Sequence, residues 1–318
     1  MKKIIILFLL LLFPINVFAY SNYLITGGKQ IGIEIHSKGV YIIDYSQALE
    51  KDFLKEDLQK GDRIIKINKK EINNLKDLNE VIKEKGTYDL TIIRNKEELN
   101  RKLKAVEEDG QIKTGLFVKD EINGIGTLSY IDPETKIYAS LGHEILESST
   151  NTLFEVGNGY VYDVDVNYIN KSEDGNIGEF HGNFRNNIIG TLEKNEINGI
   201  YGKYMESLPK IELTEVGKAE EIKKGKAEIK MMIEGKEQFF DIDIISIQDV
   251  GVKNISFEIT SEELLEKTGG VIQGMSGSPI IQNNKIIGVV NYVVVNDSKK
   301  GYGIFIEKML EEGDKLQS

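Results

Sequence analysis

Residues 274–279 read Gly-Met-Ser-Gly-Ser-Pro, and this stretch decides how the chain is interpreted. A serine between glycines can take a sharp backbone turn that presents its hydroxyl group to a substrate. The amide groups of Gly274 and Ser276 could then form an oxyanion hole for acyl transfer. For so short a pattern, the alternative is a structural Gly/Ser turn.

The sequence after this loop favours the first interpretation. Pro279 opens one β-type run and residues 285–295 form another, with Asn283-Asn284 between them as a predicted tight hairpin. A Gly-Ser loop that leads directly into such a hairpin is typical of a nucleophile loop. We therefore predict Ser276 as the nucleophile of a serine protease.

A serine nucleophile needs a general base, and the chain contains three histidines. His36 lies far from Ser276 in sequence, and His181 lies in a polar turn. His143 follows a strand-like run, residues 137–142, and precedes Ser276 by a separation like that in trypsin-like double barrels. We predict that His143 acts as the base and then as the acid.

The N-terminal part carries a second motif. Residues 58–68 resemble the L-x-x-G-D-x-I-x-x-I-N pattern of PDZ domains. Residues 31–35 and 40–43 are predicted strands, and a helix is predicted from Leu75 to Lys85 with Asn74 as its N-cap. These features predict an α+β PDZ domain over residues 24–106, before a polar link at 107–111.

PDZ domains bind an extended peptide terminus by adding it to the edge of a sheet. By position, Ile31, Gly32 and Ile33 are the predicted peptide-binding residues. The alternative is that Ile31 and Ile33 are core residues of an ordinary strand.

From residue 112 to 318, short β-type runs alternate with Gly, Asn and Asp turns, which is typical of a β-barrel or sandwich. We expect a mainly β protein in which the PDZ domain precedes a trypsin-like double β-barrel protease domain. The chain has 318 residues, enough for two domains with proper cores.

The composition excludes several classes of function. A net charge of −11 without a basic stripe argues against a nucleic-acid partner. The absence of cysteine excludes a thiol nucleophile and a Cys-ligated metal. There is no phosphate-binding loop or dinucleotide fingerprint. The pairs Asp163/Asp165 and Asp241/Asp243 are interpreted as solvated strand faces, so we expect no metal and no cofactor.

Residues 1–19 are typical of an export segment. Two lysines precede the apolar run 4–13, Pro14 follows, and Ala19 ends a weak cleavage site. The segment is either a cleaved signal peptide or a short anchor that associates with the membrane through residues 4–19. In both cases the chain is exported across the membrane.

Several runs carry a family resemblance: residues 24–28, 124–128, 132–135, 141–143, 264–270, 274–279, 295–297 and 301–303. On these runs the chain resembles the SpoIVB peptidases, serine proteases of sporulation stage IV. The resemblance implies an exported regulatory protease that cleaves itself and then a few protein targets during endospore formation. It also implies a place between the forespore and mother-cell membranes.

One position departs from this family. Its third catalytic residue is an aspartate, and Ser261 occupies that position here. A serine oxygen can still accept the imidazole N–H, so Ser261 is the predicted orienting residue for His143. Carboxylates that could replace it are Glu262, Asp249, Asp243 and Asp241. The departure also favours an alternative function, a protease-derived PDZ binding or scaffold protein of the spore envelope with weak or no catalysis.

Overall fold

The structure, a computed structural model, describes residues 20–46 and 58–317, so the predicted export segment lies outside it. The strands of the first half are β1 Tyr23–Thr26, β2 Gln30–Tyr45, β3 Arg63–Ile67, β4 Lys70–Glu71, β5 Gly86–Arg94, β6 Glu97–Glu108, β7 Gln111–Lys113, β8 Leu116–Ile131, β9 Ile137–Ser140, β10 Leu146–Glu147 and β11 Thr152–Leu153.

The strands of the second half are β12 Val156–Asn170, β13 Glu179–Thr191, β14 Lys194–Glu196, β15 Gly199–Lys203, β16 Thr214–Val216, β17 Gly225–Ile233, β18 Lys236–Ile247, β19 Ile255–Ile259, β20 Pro279–Gln282, β21 Lys285–Val293 and β22 Lys300–Phe305. The helices are α1 Leu75–Val81, α2 Glu262–Thr268 and α3 Ile306–Asp314, with a 3-10 turn at Ala219–Glu221.

The first barrel is a ring of antiparallel strands built around β2. Strand β2 pairs with β8 on one side and β12 on the other. The ring continues from β8 through β9 to β15, and from β12 to β13. A bridge between Gly190 and Tyr204 closes it. Its core is aliphatic and aromatic, with Ile31, Ile33 and Tyr138 almost fully buried.

The second barrel closes entirely through strand pairs, in the order β17, β18, β19, β22, β21 and β20, and back to β17. Its residues alternate as a half-buried sheet requires: Phe240 and Ile242 point into the core, whereas Asp241 and Asp243 are exposed. The expectation of a mainly β chain built on β-barrel structure is confirmed, and Asp241 and Asp243 lie on a solvated face as predicted.

A third apolar core lies in the N-terminal module, which we define as residues 40–46 and 58–118. Strands β3, β5 and β6 form its sheet and α1 packs on it, with Val40, Ile64 and Leu90 in the core. The Gly-Asp turn of the sequence motif is held by an ion pair in which the Asp62 carboxylate is fully buried and accepts from Nε of Arg94 at 2.6 Å.

The module begins later than the predicted domain boundary at residue 24. The two strands predicted at 31–35 and 40–43 are one continuous strand, β2, bent at Gly39 with φ +110°. Residues 30–36 of β2 pair with the first barrel, and residues 40–45 pair with the module and with β8. Strands β1 and β2 therefore belong to the barrel as well.

Helix α3 packs where the two barrels meet. Ile306, Met309 and Leu310 share one buried cluster with Tyr130 and Tyr201. Across residues 20–46 and 58–317, no helix is long and apolar enough to cross a membrane.

Candidate active site

The loop that carries Ser276 requires glycine at two positions. Gly274 has φ +94° and Gly277 has φ +99°, conformations that side chains rarely adopt. A Cβ on Gly277 would also lie 2.0 Å from the carbonyl oxygen of Thr127. The loop feeds β20, and the hairpin to β21 turns at Asn283 and Asn284, which both have positive φ. The predicted tight turn is confirmed.

Thr127 on β8 fixes this loop from the first barrel. Its amide donates to the carbonyl oxygen of Ser276 at 3.0 Å, and its Oγ1 donates to that of Gly274 at 2.6 Å. Ser140, at the end of β9, donates to the carbonyl oxygen of Thr127 at 2.5 Å. Since Thr127 is 0% exposed, these hydrogen bonds are shielded from water and hold the loop against the strand that leads to His143.

The amides predicted for the oxyanion hole have no protein acceptor among residues 20–46 and 58–317. Within the described residues, neither Gly274 N nor Ser276 N donates a hydrogen bond, whereas Met275 N and Gly277 N both do. Free donors at the first two positions are what a developing oxyanion would need.

His143 follows a strained turn at the end of β9. Leu141 and Gly142 both have φ +70°, and Leu141 is an uncommon residue for that conformation. Nδ1 of His143 lies 2.8 Å from the carbonyl oxygen of Glu144. A carbonyl can only accept, so Nδ1 carries the proton and Nε2 is left as the basic nitrogen.

The surroundings of His143 favour its neutral form. Burial lowers the pKa of His143, and the carbonyl and carboxylate of Glu144 oppose that change without reversing it. A neutral imidazole with a free Nε2 is the protonation state that a general base requires.

Ser276 and His143 line one cleft of about 270 Å³ between the two barrels. No hydrogen bond joins them in the described part of the chain: Ser276 Oγ donates to the carbonyl oxygen of Asn291 at 3.2 Å. Proton transfer to His143 therefore requires the hydroxyl to leave Asn291, a change common on forming a substrate complex.

Comparison with known protein families supports a protease active site in this cleft. A family model described as SpoIVB peptidase S55 matches residues 110–310. This chain belongs to that family. It is a serine endopeptidase, and the matched segment contains both Ser276 and His143. A comparison with curated proteins gave no match.

Solved protease structures are similar to the peptidase at low identity. The inactive form of the Rv3671c protease is 16% identical with a TM-score of 0.35, covering 61% of this chain and 85% of that one. The active form, from M. tuberculosis, is 14% identical with a TM-score of 0.34, covering 60% and 72%. The HtrA-type protease AlgW with a decapeptide is 11% identical with a TM-score of 0.37, covering 63% of this chain and 54% of that one.

Ser261 lies elsewhere in the peptidase. It is the N-cap of α2, where its side chain accepts from Leu264 N, and its own amide donates to the carbonyl oxygen of Asp241. The structure therefore does not bring Ser261 to His143, whose Nδ1 is engaged by Glu144. Serine followed by two glutamates and a leucine is typical of a helix N-terminus, so the sequence itself indicates the N-cap role of Ser261.

The carboxylates that could replace Ser261 do not contact His143 in the described part of the chain either. Asp241 and Asp243 are exposed on β18, and Asp249 pairs with Lys308 at 2.7 Å. No hydrogen bond or ion pair within the described ranges joins any of them, or Glu262, to His143. The carboxylate beside the base is instead that of its neighbour, Glu144.

Two residues of β21, Asn291 and Tyr292, complete the site, and no local sequence pattern indicates their role. Tyr292 packs its ring against His143, with centroids 5.3 Å apart, and its hydroxyl donates to Glu144 at 3.4 Å. Burial, and then the Glu144 carboxylate, raises the pKa of Tyr292 to about 12, so it remains a donor. Asn291 is buried and donates to the carbonyl oxygen of Val252 at 2.6 Å.

The predicted peptide-binding residues do not lie at a sheet edge. Ile31, Gly32 and Ile33 pair with β8 on one side and with β12 on the other. A Cβ on Gly32 would collide with the ring of Phe184. Both edges are occupied, so a peptide cannot add to this segment as a strand. The alternative reading, core strand residues, describes Ile31 and Ile33, and Ile33 also lines the Ser276 cleft.

The other histidines are in ordinary polar settings. His36 lies 3.0 Å from Glu34, and His181 lies 3.0 Å from Glu179. In the part of the chain that the structure describes, no group of three or more His, Asp or Glu side chains is arranged to hold a metal ion.

Proposed function

We propose that this chain is an exported serine endopeptidase that cleaves itself and a small set of protein targets, as a signalling protease between forespore and mother cell. One observation carries the proposal: Ser276 and His143 line the same cleft, with free loop amides beside them. Family membership supports the target class and the setting.

The mechanism follows from the atoms of the cleft. Ser276 Oγ attacks the scissile carbonyl carbon while Nε2 of His143 takes its proton. The amides of Gly274 and Ser276 receive the negative oxygen that forms. His143 then gives the proton to the leaving amine, and water repeats the sequence to release the acyl group. The carbonyl oxygen of Glu144 holds Nδ1–H throughout.

We also propose that the N-terminal module is a PDZ-type domain that holds a peptide terminus of a target or of this chain. The motif around Asp62, the helix α1 and a separate core support this assignment. The peptide would bind at a surface other than Ile31–Ile33, since that segment is paired on both sides. Export, with membrane association through residues 4–19, is proposed from the sequence of that segment.

A second candidate function has one observation in its favour. Ser276 Oγ donates a hydrogen bond to the carbonyl oxygen of Asn291 rather than to His143. Nδ1 of His143 donates to a main-chain carbonyl, whereas the family resemblance implies a carboxylate there. A protease-derived scaffold protein that binds partners without cleaving them would not require a hydrogen bond between Ser276 and His143, nor a carboxylate on Nδ1 of His143.

A fluorophosphonate probe separates the two functions, because it labels only activated serines. With purified residues 20–318 we expect the wild type to be labelled, and Ser276→Ala and His143→Ala to lose labelling. Labelling of Ser276→Ala would refute the assignment of Ser276 as the nucleophile. Absence of labelling in a folded wild type would favour the scaffold.

Self-cleavage and the biological role need their own assays. Wild type should cleave a tagged Ser276→Ala chain added in trans, since the variant offers the cleavage site without activity of its own. In an endospore-forming host lacking the gene, wild type should restore sporulation and Ser276→Ala should not. Restoration by Ser276→Ala would contradict a proteolytic role.

A further inference from the structure

The cleft beside Ser276 has an apolar wall that the chemistry of the reaction does not use. Six aliphatic residues, all from the first-barrel side of the cleft, line it: Ile33, Ile122, Ile125, Leu141, Ile145 and Leu146. The polar groups at the cleft are the reacting residues together with Glu144 and Gln273. The Glu144 carboxylate already accepts from Tyr292.

The floor of the cleft is a strand pair in which glycine creates the space. Ile33 on β2 lies directly opposite Gly124 on β8, so both face the same side of the sheet. Two residues along β8, a Cβ on Gly126 would collide with Leu141 at 2.3 Å, so that position is filled. A Cβ on Gly124 would meet nothing within 4 Å. The open volume therefore lies above Gly124.

The size and lining of this space select a ligand class. An apolar cavity of about 150 Å³ can hold a benzene-sized group, so about 270 Å³ accommodates one large aliphatic side chain. It is smaller than the roughly 300–1,000 Å³ typical of whole small-molecule sites. A charged side chain placed against the aliphatic wall would lose its hydration there, and the one carboxylate of the cleft, that of Glu144, is already a hydrogen-bond acceptor for Tyr292.

We infer that this cleft is the specificity pocket of the protease, and that it takes an aliphatic side chain, of leucine or isoleucine size, next to the scissile bond. The inference rests on the proposed function at Ser276. Gly124 is then the specificity-determining position, because any side chain there would occupy the space meant for the substrate.

The test uses internally quenched peptides that differ at one position beside the bond cleaved, with rates expressed per probe-labelled serine. Wild type should cleave leucine peptides about 10- to 200-fold faster in kcat/KM than alanine peptides, the range for losing buried methylenes. Gly124→Val should lower this leucine-to-alanine ratio by about ten-fold. Gly86→Val is the matched control, since Gly86 lies on β5 with nothing within 4 Å of its Cβ and should leave the ratio unchanged.

Two outcomes would overturn the inference: a wild-type preference for lysine, aspartate or glutamate at this position, or an unchanged ratio in Gly124→Val. A binding arm keeps the inference separate from the proposed function. In Ser276→Ala, leucine peptides should bind at least ten-fold tighter than alanine peptides by fluorescence polarisation. If the probe labels no serine in the wild type, the proposed function fails, and equal binding of the two peptides decides against the pocket independently.

Discussion

Nδ1 of His143 donates to the main-chain carbonyl oxygen of its neighbour Glu144, 2.8 Å away. A backbone acceptor selects the same tautomer that a catalytic aspartate would select. It cannot be changed by substituting a side chain, and it carries no full negative charge to stabilise the imidazolium. The base is therefore oriented by the fold and tuned by burial.

The first prediction concerns pH. Burial lowers the pKa of His143, so the base stays neutral to lower pH than an ordinary imidazole of pKa about 6.5. The acidic limb of the pH profile for probe labelling should lie below pH 6.5, since activity is lost only when His143 gains a proton. A limb at or above 6.5 would contradict a base tuned by burial. An NMR titration of His143 in Ser276→Ala provides an independent measurement.

The second prediction concerns Ser261. Ser261→Ala should lower the free energy of unfolding by about 1 kcal/mol through loss of the N-cap. The labelling rate of the folded protein should not change. Ser261→Asp should keep both the cap and the activity, because aspartate is also a good N-cap. A ten-fold gain in labelling rate with aspartate would restore the orienting role that the sequence suggested.

The third prediction concerns Thr127. Thr127→Val removes the Oγ1 donor to Gly274 and leaves a buried carbonyl unsatisfied, at a cost of about 1–3 kcal/mol. We expect kcat to fall about ten-fold with little change in KM, because the oxyanion amides lose their position. Thr127→Ser keeps the hydroxyl and should retain most of the activity. Equal losses in the two variants would assign the effect to packing instead.

The fourth prediction concerns Tyr292. Tyr292→Phe keeps the ring against His143 and loses only the long hydrogen bond to Glu144, so kcat should fall less than about three-fold. Tyr292→Ala removes the ring, and a contact of this kind contributes about 0.5–1.5 kcal/mol. Its kcat should fall about ten-fold. A larger loss in the phenylalanine variant would show that the hydroxyl acts in the reaction.

The sequence predicted what depends on short local patterns. The Gly-Ser loop, the Asn283-Asn284 turn and the alternation along β18 each follow from backbone or side-chain rules that act over a few residues. The pairing of β2 could not be predicted in this way. Its residues suit a strand of the first barrel or of the N-terminal module equally well. In the folded protein, β2 is one continuous strand that belongs to both.

The site was predicted in part for the same reason. Ser276 and His143 carry chemistry that few other residues can supply, so they stand out in the sequence. Glu144 contributes a main-chain oxygen, which is independent of residue type. Thr127 and Tyr292 act through contacts with residues far along the chain, and nothing in their local sequence indicates those contacts.

The sharing of β2 would limit what the proposed self-cleavage could release. A cut at the turn between β6 and β7, near Asp109, would produce an N-terminal fragment whose strands β1 and β2 stay paired with β8 and β12 of the first barrel. The two pieces would migrate separately on a denaturing gel and together through a sizing column. Under the proposed self-cleavage, a cut anywhere between β2 and β7 would therefore leave the N-terminal fragment attached through its strand pairs.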